Sequence, residues 1–230
     1  MRSLHPPTAV ETLVARGEYE YRRSDGDVGR ELWELHEGED GTAVWRSDVE
    51  EERGYLLTHL LCDAQGRPDR LQLRWHPKGG AAARQTIYTF FDDGVLVLQG
   101  NERDVVELPP QWTLMGLDVG SRALALPPLA GPEGRLSQPA EPVLQLVFTV
   151  QLRGDTFWSR LVKWAFYPLE DGAGLDGEEQ GRVAAALRLA VPGLPEQRGW
   201  FDPYGVPVRW LWQDGGEQIE ARLTRYSRGW

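Results

Sequence analysis

Turn signals recur at short intervals along the whole chain, and they constrain the fold more than any other feature. Gly, Asp and Pro cluster in "SDGD", "GEDG", "AQGRP", "PKGG", "DDG", "LEDGAGLDG" and "QDGG". Between them lie runs of about 6 to 12 residues rich in Val, Leu, Tyr, Trp and Phe, the pattern of an antiparallel meander. Strands are predicted near 17–23, 28–36, 42–49, 54–62, 69–76, 84–91, 94–99, 103–108, 142–153, 156–168, 180–190, 206–213 and 217–226. No stretch has the length and composition of a domain linker, so residues 1–230 are read as a single domain.

Two segments break the alternation. In 8–16, Thr8 is placed to cap a short helix with Glu11 as its box partner. In 110–126, "PQWTLMGLDVGSRALAL", the residues are apolar on most sides, which predicts an irregular helix lying against one face of the sheet. The five prolines of 127–142 mark a long crossover loop.

Register converts alternation into a face. A five-residue loop from Glu37 to Gly41 sets Trp33 opposite Trp45 and Arg30 opposite Asp48, an aromatic pair on one side and an ion pair on the other. Carried through the next two hairpins, the same parity puts Tyr55, Leu57, His59 and Leu61 with Leu71, Leu73 and Trp75 on the apolar face. Near the C-terminus, a two-residue Gly215-Gly216 turn places Trp212 opposite Ile219, Trp210 opposite Ala221 and Val208 opposite Leu223.

Ten tryptophans in 230 residues exceed ordinary usage. A wide antiparallel sheet with little helix leaves part of its apolar face for a ligand, so Trp33, Trp45, His59, Leu73, Trp75, Trp164, Trp210 and Trp212 are the candidate ligand-binding set. Plain core is the competing role for each large ring. An imidazole at position 59 on that face needs a polar partner; Glu31 is one, and a ligand is another.

The chemistry-bearing motifs are missing. The four histidines show neither HxH nor HxxxH spacing, and Cys62 is the single cysteine, which leaves no metal set, no internal disulfide and no cofactor signature. Neither a G-x-S-x-G elbow nor a phosphate-binding glycine loop is present, and no catalytic residue is assigned. The formal net charge of -10 disfavours a nucleic-acid partner. No apolar run reaches the 18 or so residues of a transmembrane helix, and the N-terminus lacks an apolar leader core. These features point to the cytoplasm, or to the periplasm or exterior if a leader has been removed. The residues specify no oligomeric state.

The opening "GEYEYRRSDGDVGRELWEL", the segment "QWTLMGLDVGSRALAL" and the closing "WFDPYGVPVRWLWQDGGEQIEARL" together resemble the LolA/LolB-like superfamily of lipoprotein carriers, glycolipid-binding proteins and related bacterial families. That resemblance implies a single strongly curved antiparallel sheet, an incomplete barrel with a short helix or helical segment packed in the concavity. It also implies a non-enzymatic protein whose partner is a lipid, glycolipid or other apolar small molecule. Two other classes remain open: a carbohydrate-binding module with an exposed Trp platform, and a hydrolase using dispersed carboxylates.

Overall fold

A computed structural model describes residues 1–109, 112–117, 135–169, 175–193, 195–214 and 216–229. The strands, in chain order, are β1 (Thr12–Arg23), β2 (Gly26–Glu37), β3 (Ala43–Glu51), β4 (Gly54–Cys62), β5 (Pro68–Pro77), β6 (Arg84–Phe90), β7 (Gly94–Gln99) and β8 (Glu102–Glu107). They continue with β9 (Trp112–Leu117), β10 (Val143–Arg153), β11 (Thr156–Pro168), β12 (Ala185–Ala190), β13 (Gln197–Phe201), β14 (Pro207–Asp214) and β15 (Glu217–Arg228). One short helix, α1 (Gly177–Arg182), lies between β11 and β12. None of the described helices is long and apolar enough to cross a membrane.

All the strands belong to one sheet in the order β8-β7-β6-β5-β4-β3-β2-β1-β15-β14-β13-β12-β11-β10-β9. Every neighbouring pair is antiparallel except the last, where β9 runs parallel to β10. The mainly β, antiparallel expectation is therefore met, and the sheet is not closed into a barrel: β8 and β9 remain as its two edges. Edge β8 has the sequence "ERDVVE", whose charges discourage pairing with another chain.

Distant strands nevertheless touch. Phe90 of β6 stacks on Trp112 of β9, with ring centroids 5.1 Å apart, and Tyr88 meets Phe148 of β10 at 5.9 Å. The indole N–H of Trp75 in β5 donates to Asp155 at the β10–β11 turn over 2.9 Å. The middle of β10 is buried on both sides, with Val147 and Thr149 facing the way of Trp164, and Phe148 and Val150 facing β6. The sheet thus curls on itself, and the β9–β11 end lies inside the curve made by the other strands.

Several expectations are corrected. Residues 112–117 of the segment read as a helix form β9; the rest of 110–126 lies outside the described residues, as does the first half of the loop 127–142. Six residues that look apolar all round also suit a strand whose edge pairs with a strand buried on both faces, and periodicity does not separate the two cases. Thr8 and Glu11 do bond to each other, at 3.2 Å between Thr8 Oγ1 and Glu11 Oε1. No helix follows, because Thr12 onward alternates and pairs with both β2 and β15. The strand predicted over 180–190 begins only at Ala185, since Asp176 and Glu179 form a capping box that starts α1. β13 was not anticipated.

Register departs from expectation at three hairpins, β2–β3, β3–β4 and β4–β5, the last pairing Leu56 with Trp75 and Thr58 with Leu73. Trp33 pairs with Ser47 and Leu35 with Trp45, so Arg30 lies opposite Glu50, not Asp48. The β2–β3 loop spans 38–42, one residue later than expected, and the two tryptophans still stack diagonally with centroids 4.6 Å apart. A larger change follows at β3–β4. The tight turn at Glu52-Arg53 pairs Glu51 with Gly54 and therefore sets odd residues of β3 beside even residues of β4. Leu56, Thr58 and Leu60 face inward with Leu71, Leu73 and Trp75, while Tyr55, Leu57, His59 and Leu61 face outward. The C-terminal hairpin has the expected register, Trp212 with Ile219 and Trp210 with Ala221, and Gly216 supplies a φ of 87° at the turn.

Candidate functional site

The inner face is an aromatic wall. Trp33 packs between Trp45 and Tyr19, Trp212 meets the edge of Tyr21 at 6.0 Å, and Trp164 stacks on Phe166 at 5.9 Å. Two rings sit where their cross-strand neighbour has no side chain. A Cβ at Gly17 would come within 2.6 Å of the Trp33 ring, and one at Gly199 within 2.6 Å of Phe201 and 3.3 Å of Trp210. Glycine at these positions is what lets the rings lie flat against the sheet.

Some of the indole N–H groups are also satisfied inside the fold, whereas those of Trp33 and Trp45 are buried without a hydrogen-bond partner among the described residues. Trp210 donates to Gln197 over 2.9 Å and Trp164 to Thr149 Oγ1 over 3.2 Å. Of the eight candidate residues, Trp33, Trp45, Leu73, Trp75, Trp164, Trp210 and Trp212 share the inner face and all are buried. His59 does not join them; it is on the outer side, so Glu31 is not its partner. Glu31 is buried on the inner face and accepts the hydroxyl of Tyr21.

His59 belongs to a polar patch under the N-terminal segment. Its ring meets that of His5 at 4.8 Å, His5 Nε2 is 2.8 Å from Gln72 Oε1, and the carbonyl of His5 accepts from Arg46 Nε over 2.7 Å. Burial lowers the His59 pKa to about 4, helped by the charges of Arg46, His5 and Arg70 and opposed by Glu11. An imidazole with this depressed pKa is neutral in the fold and protonated in the unfolded chain at intermediate pH. Stability is therefore expected to fall as the pH drops from about 6.5 towards about 4, and to change little through His59 above that window. Urea unfolding across that range, with His59→Gln as comparison, checks this: the variant should show a flatter profile, and an identical profile would remove His59 as the cause.

Two recesses open at the ends of strands. One, of about 350 Å³, lies where the end of β6 meets the start of β9, with Phe90, Phe91 and Trp112 as its apolar wall. Asp63, Arg67, Asp69 and Asp92 ring its mouth. The other, of about 380 Å³, is bounded by Trp212, Leu211, Arg198 and Gln218. Of the expected set only Trp212 borders either. Phe90, Phe91 and Trp112 were not singled out by sequence reasoning, although "FFDDG" carries the signal: adjacent rings just before a turn point to opposite faces, leaving Phe91 54% exposed. Trp112 was hidden within the segment read as helix.

Among the described residues, no group of three or more His, Cys, Asp or Glu side chains could hold a metal ion. Burial, reinforced by Asp63 and Asp69, pushes the Cys62 thiol up to about 12, so it remains protonated and packs as a small apolar group against the core.

No protein-family model matches the sequence, and no curated protein matches it. Among solved structures, the chain is similar to a β-barrel-like protein of the domain of unknown function DUF1849 from Brucella abortus, with a TM-score of 0.59 at 12% identity over 94% of this chain and 98% of that one. The likeness shows a shared fold. A second structure, a domain provisionally described as outer membrane lipoprotein-sorting from Vibrio parahaemolyticus, aligns over 95% of this chain and 85% of that one at 11% identity. Its TM-score of 0.19 carries no argument.

Proposed function

We propose that the protein is a non-enzymatic binder of a lipid or other apolar chain, taken into the curl of the sheet through the recess between β6 and β9. The observation that carries the reading is the meeting of Phe90 and Trp112 at the unclosed seam. There the aromatic interior, continued by Phe148, reaches the recess, and among the described residues no strand pair seals it. A concave apolar surface with polar groups only at its rim is the usual form of a site for an apolar ligand. Burial of the tryptophans on the inner face favours this reading over a sugar platform, which needs wet rings in a row.

Native mass spectrometry of the purified protein tests for a retained lipid, and titration with n-alkanols tests for a site. Affinity should rise about fourfold per added methylene, the worth of about 0.8 kcal/mol, and then level off once the recess and the adjoining interior are filled. Trp112→Ala, with its folding checked by circular dichroism, should weaken the longest chain about tenfold. Absence of saturable binding at every chain length would reject the proposal.

A further inference from the structure

We infer that the recess between β6 and β9 selects chains bearing a cationic head group, such as a quaternary ammonium or a protonated amine. The inference rests on the reading that an apolar chain enters at this seam, and it adds what the mouth does to the chain's polar end. Phe91 and Trp112 present ring surface at the opening, and Phe90 lies beneath, stacked on Trp112 with an angle of 24° between the planes. Aromatic faces attract cations through their quadrupole.

The rim has the matching sign: three carboxylates, Asp63, Asp69 and Asp92, against one guanidinium, Arg67. That guanidinium is already engaged. Arg67 Nε donates to Asp63 Oδ2 over 2.8 Å, and its NH1 is 3.9 Å from Asp92. Asp63 is held in place by the backbone N–H groups of Gln65 and Arg67, whereas Asp69 and Asp92 line the recess as exposed side chains. An anionic head placed over the rings would meet the surplus negative charge, and a cationic one would meet both ring faces and carboxylates.

Calorimetric titration with decyltrimethylammonium, decanol and decyl sulfate, each below its micelle concentration, separates head from tail. At low ionic strength the trimethylammonium compound should bind about tenfold tighter than the sulfate, and high salt should narrow the gap. Asp69→Asn/Asp92→Asn should reduce the preference to about twofold and leave decanol unchanged. Asp25→Asn/Glu52→Gln removes the same formal charge from the β1–β2 and β3–β4 turns, at the opposite ends of the strands, and should keep the preference. If the three compounds bind alike, or the preference survives in Asp69→Asn/Asp92→Asn, the head-group inference fails while the chain-binding proposal stands. If none binds, both fail.

Discussion

Trp33→Ala is expected to destabilise the fold by about 3 to 5 kcal/mol, the range for deleting a large, fully buried aromatic from a core that relaxes only in part. The ring is 1% exposed and stacks between Trp45 and Tyr19, with Tyr226 at 5.9 Å, so few neighbours are free to close the space it leaves. The complementary change attacks the same contact from below. Gly17→Ala would place a methyl 2.6 Å from a ring pinned on its other face, and overpacking of this kind costs about 1 to 3 kcal/mol. The two effects should not add. In a Trp33→Leu background the obstructing ring is gone, and Gly17→Ala should become close to neutral, a coupling that a double-mutant cycle by urea unfolding measures directly. If Gly17→Ala costs the same in both backgrounds, the seat under Trp33 is not what requires glycine.

The same contacts explain what was legible beforehand. Turn residues at short intervals delimit most of the strands, and a Gly-Gly pair flanked by alternating residues set the register of the β14–β15 hairpin, so Trp210 lies opposite Ala221 as expected. Parity failed where composition gave it nothing to hold. "YLLTHLLC" carries leucines at both parities, so only the turn at Glu52-Arg53 decides which face they take, and His59 went to the wrong side with them. Two-residue turns join odd to even positions; the five-residue β2–β3 loop joins odd to odd.

The candidate site was legible as a face and not as an opening. Alternation identified six of the seven buried inner-face residues, Trp164 being the exception, because burial is a property of the local strand and its neighbours. The β6–β9 recess depends on the curl that brings the third strand from one edge against the opposite edge. No local pattern encodes that contact, since it accumulates from the twist of every intervening strand pair.

Glu11→Ala should cost about 3 to 5 kcal/mol, far more than an ordinary surface ion pair, because it strands a buried cation. Arg46 is 2% exposed on the outer face of β3, where its NH2 is 2.7 Å from Glu11 Oε2 and its Nε donates to the carbonyl of His5. The pair fastens the segment before β1 across the β3–β5 surface, together with Arg2, whose NH2 is 2.8 Å from Asp48 Oδ1. Burial alone would raise the Glu11 carboxyl, but the hydrogen bond and charge of Arg46, with Thr8, hold it below its ordinary 4.5. Its contribution is therefore present above that pH and is lost as the pH falls through the folded value. Removing the guanidinium as well removes the charge that the fold must solvate, so Glu11→Ala/Arg46→Leu should recover most of the loss and prove more stable than Glu11→Ala alone. Urea unfolding of the two variants at neutral pH decides the matter. A cost below about 1 kcal/mol for Glu11→Ala would mean that water reaches Arg46 as the N-terminal segment lifts, making the pair no stronger than one on the surface.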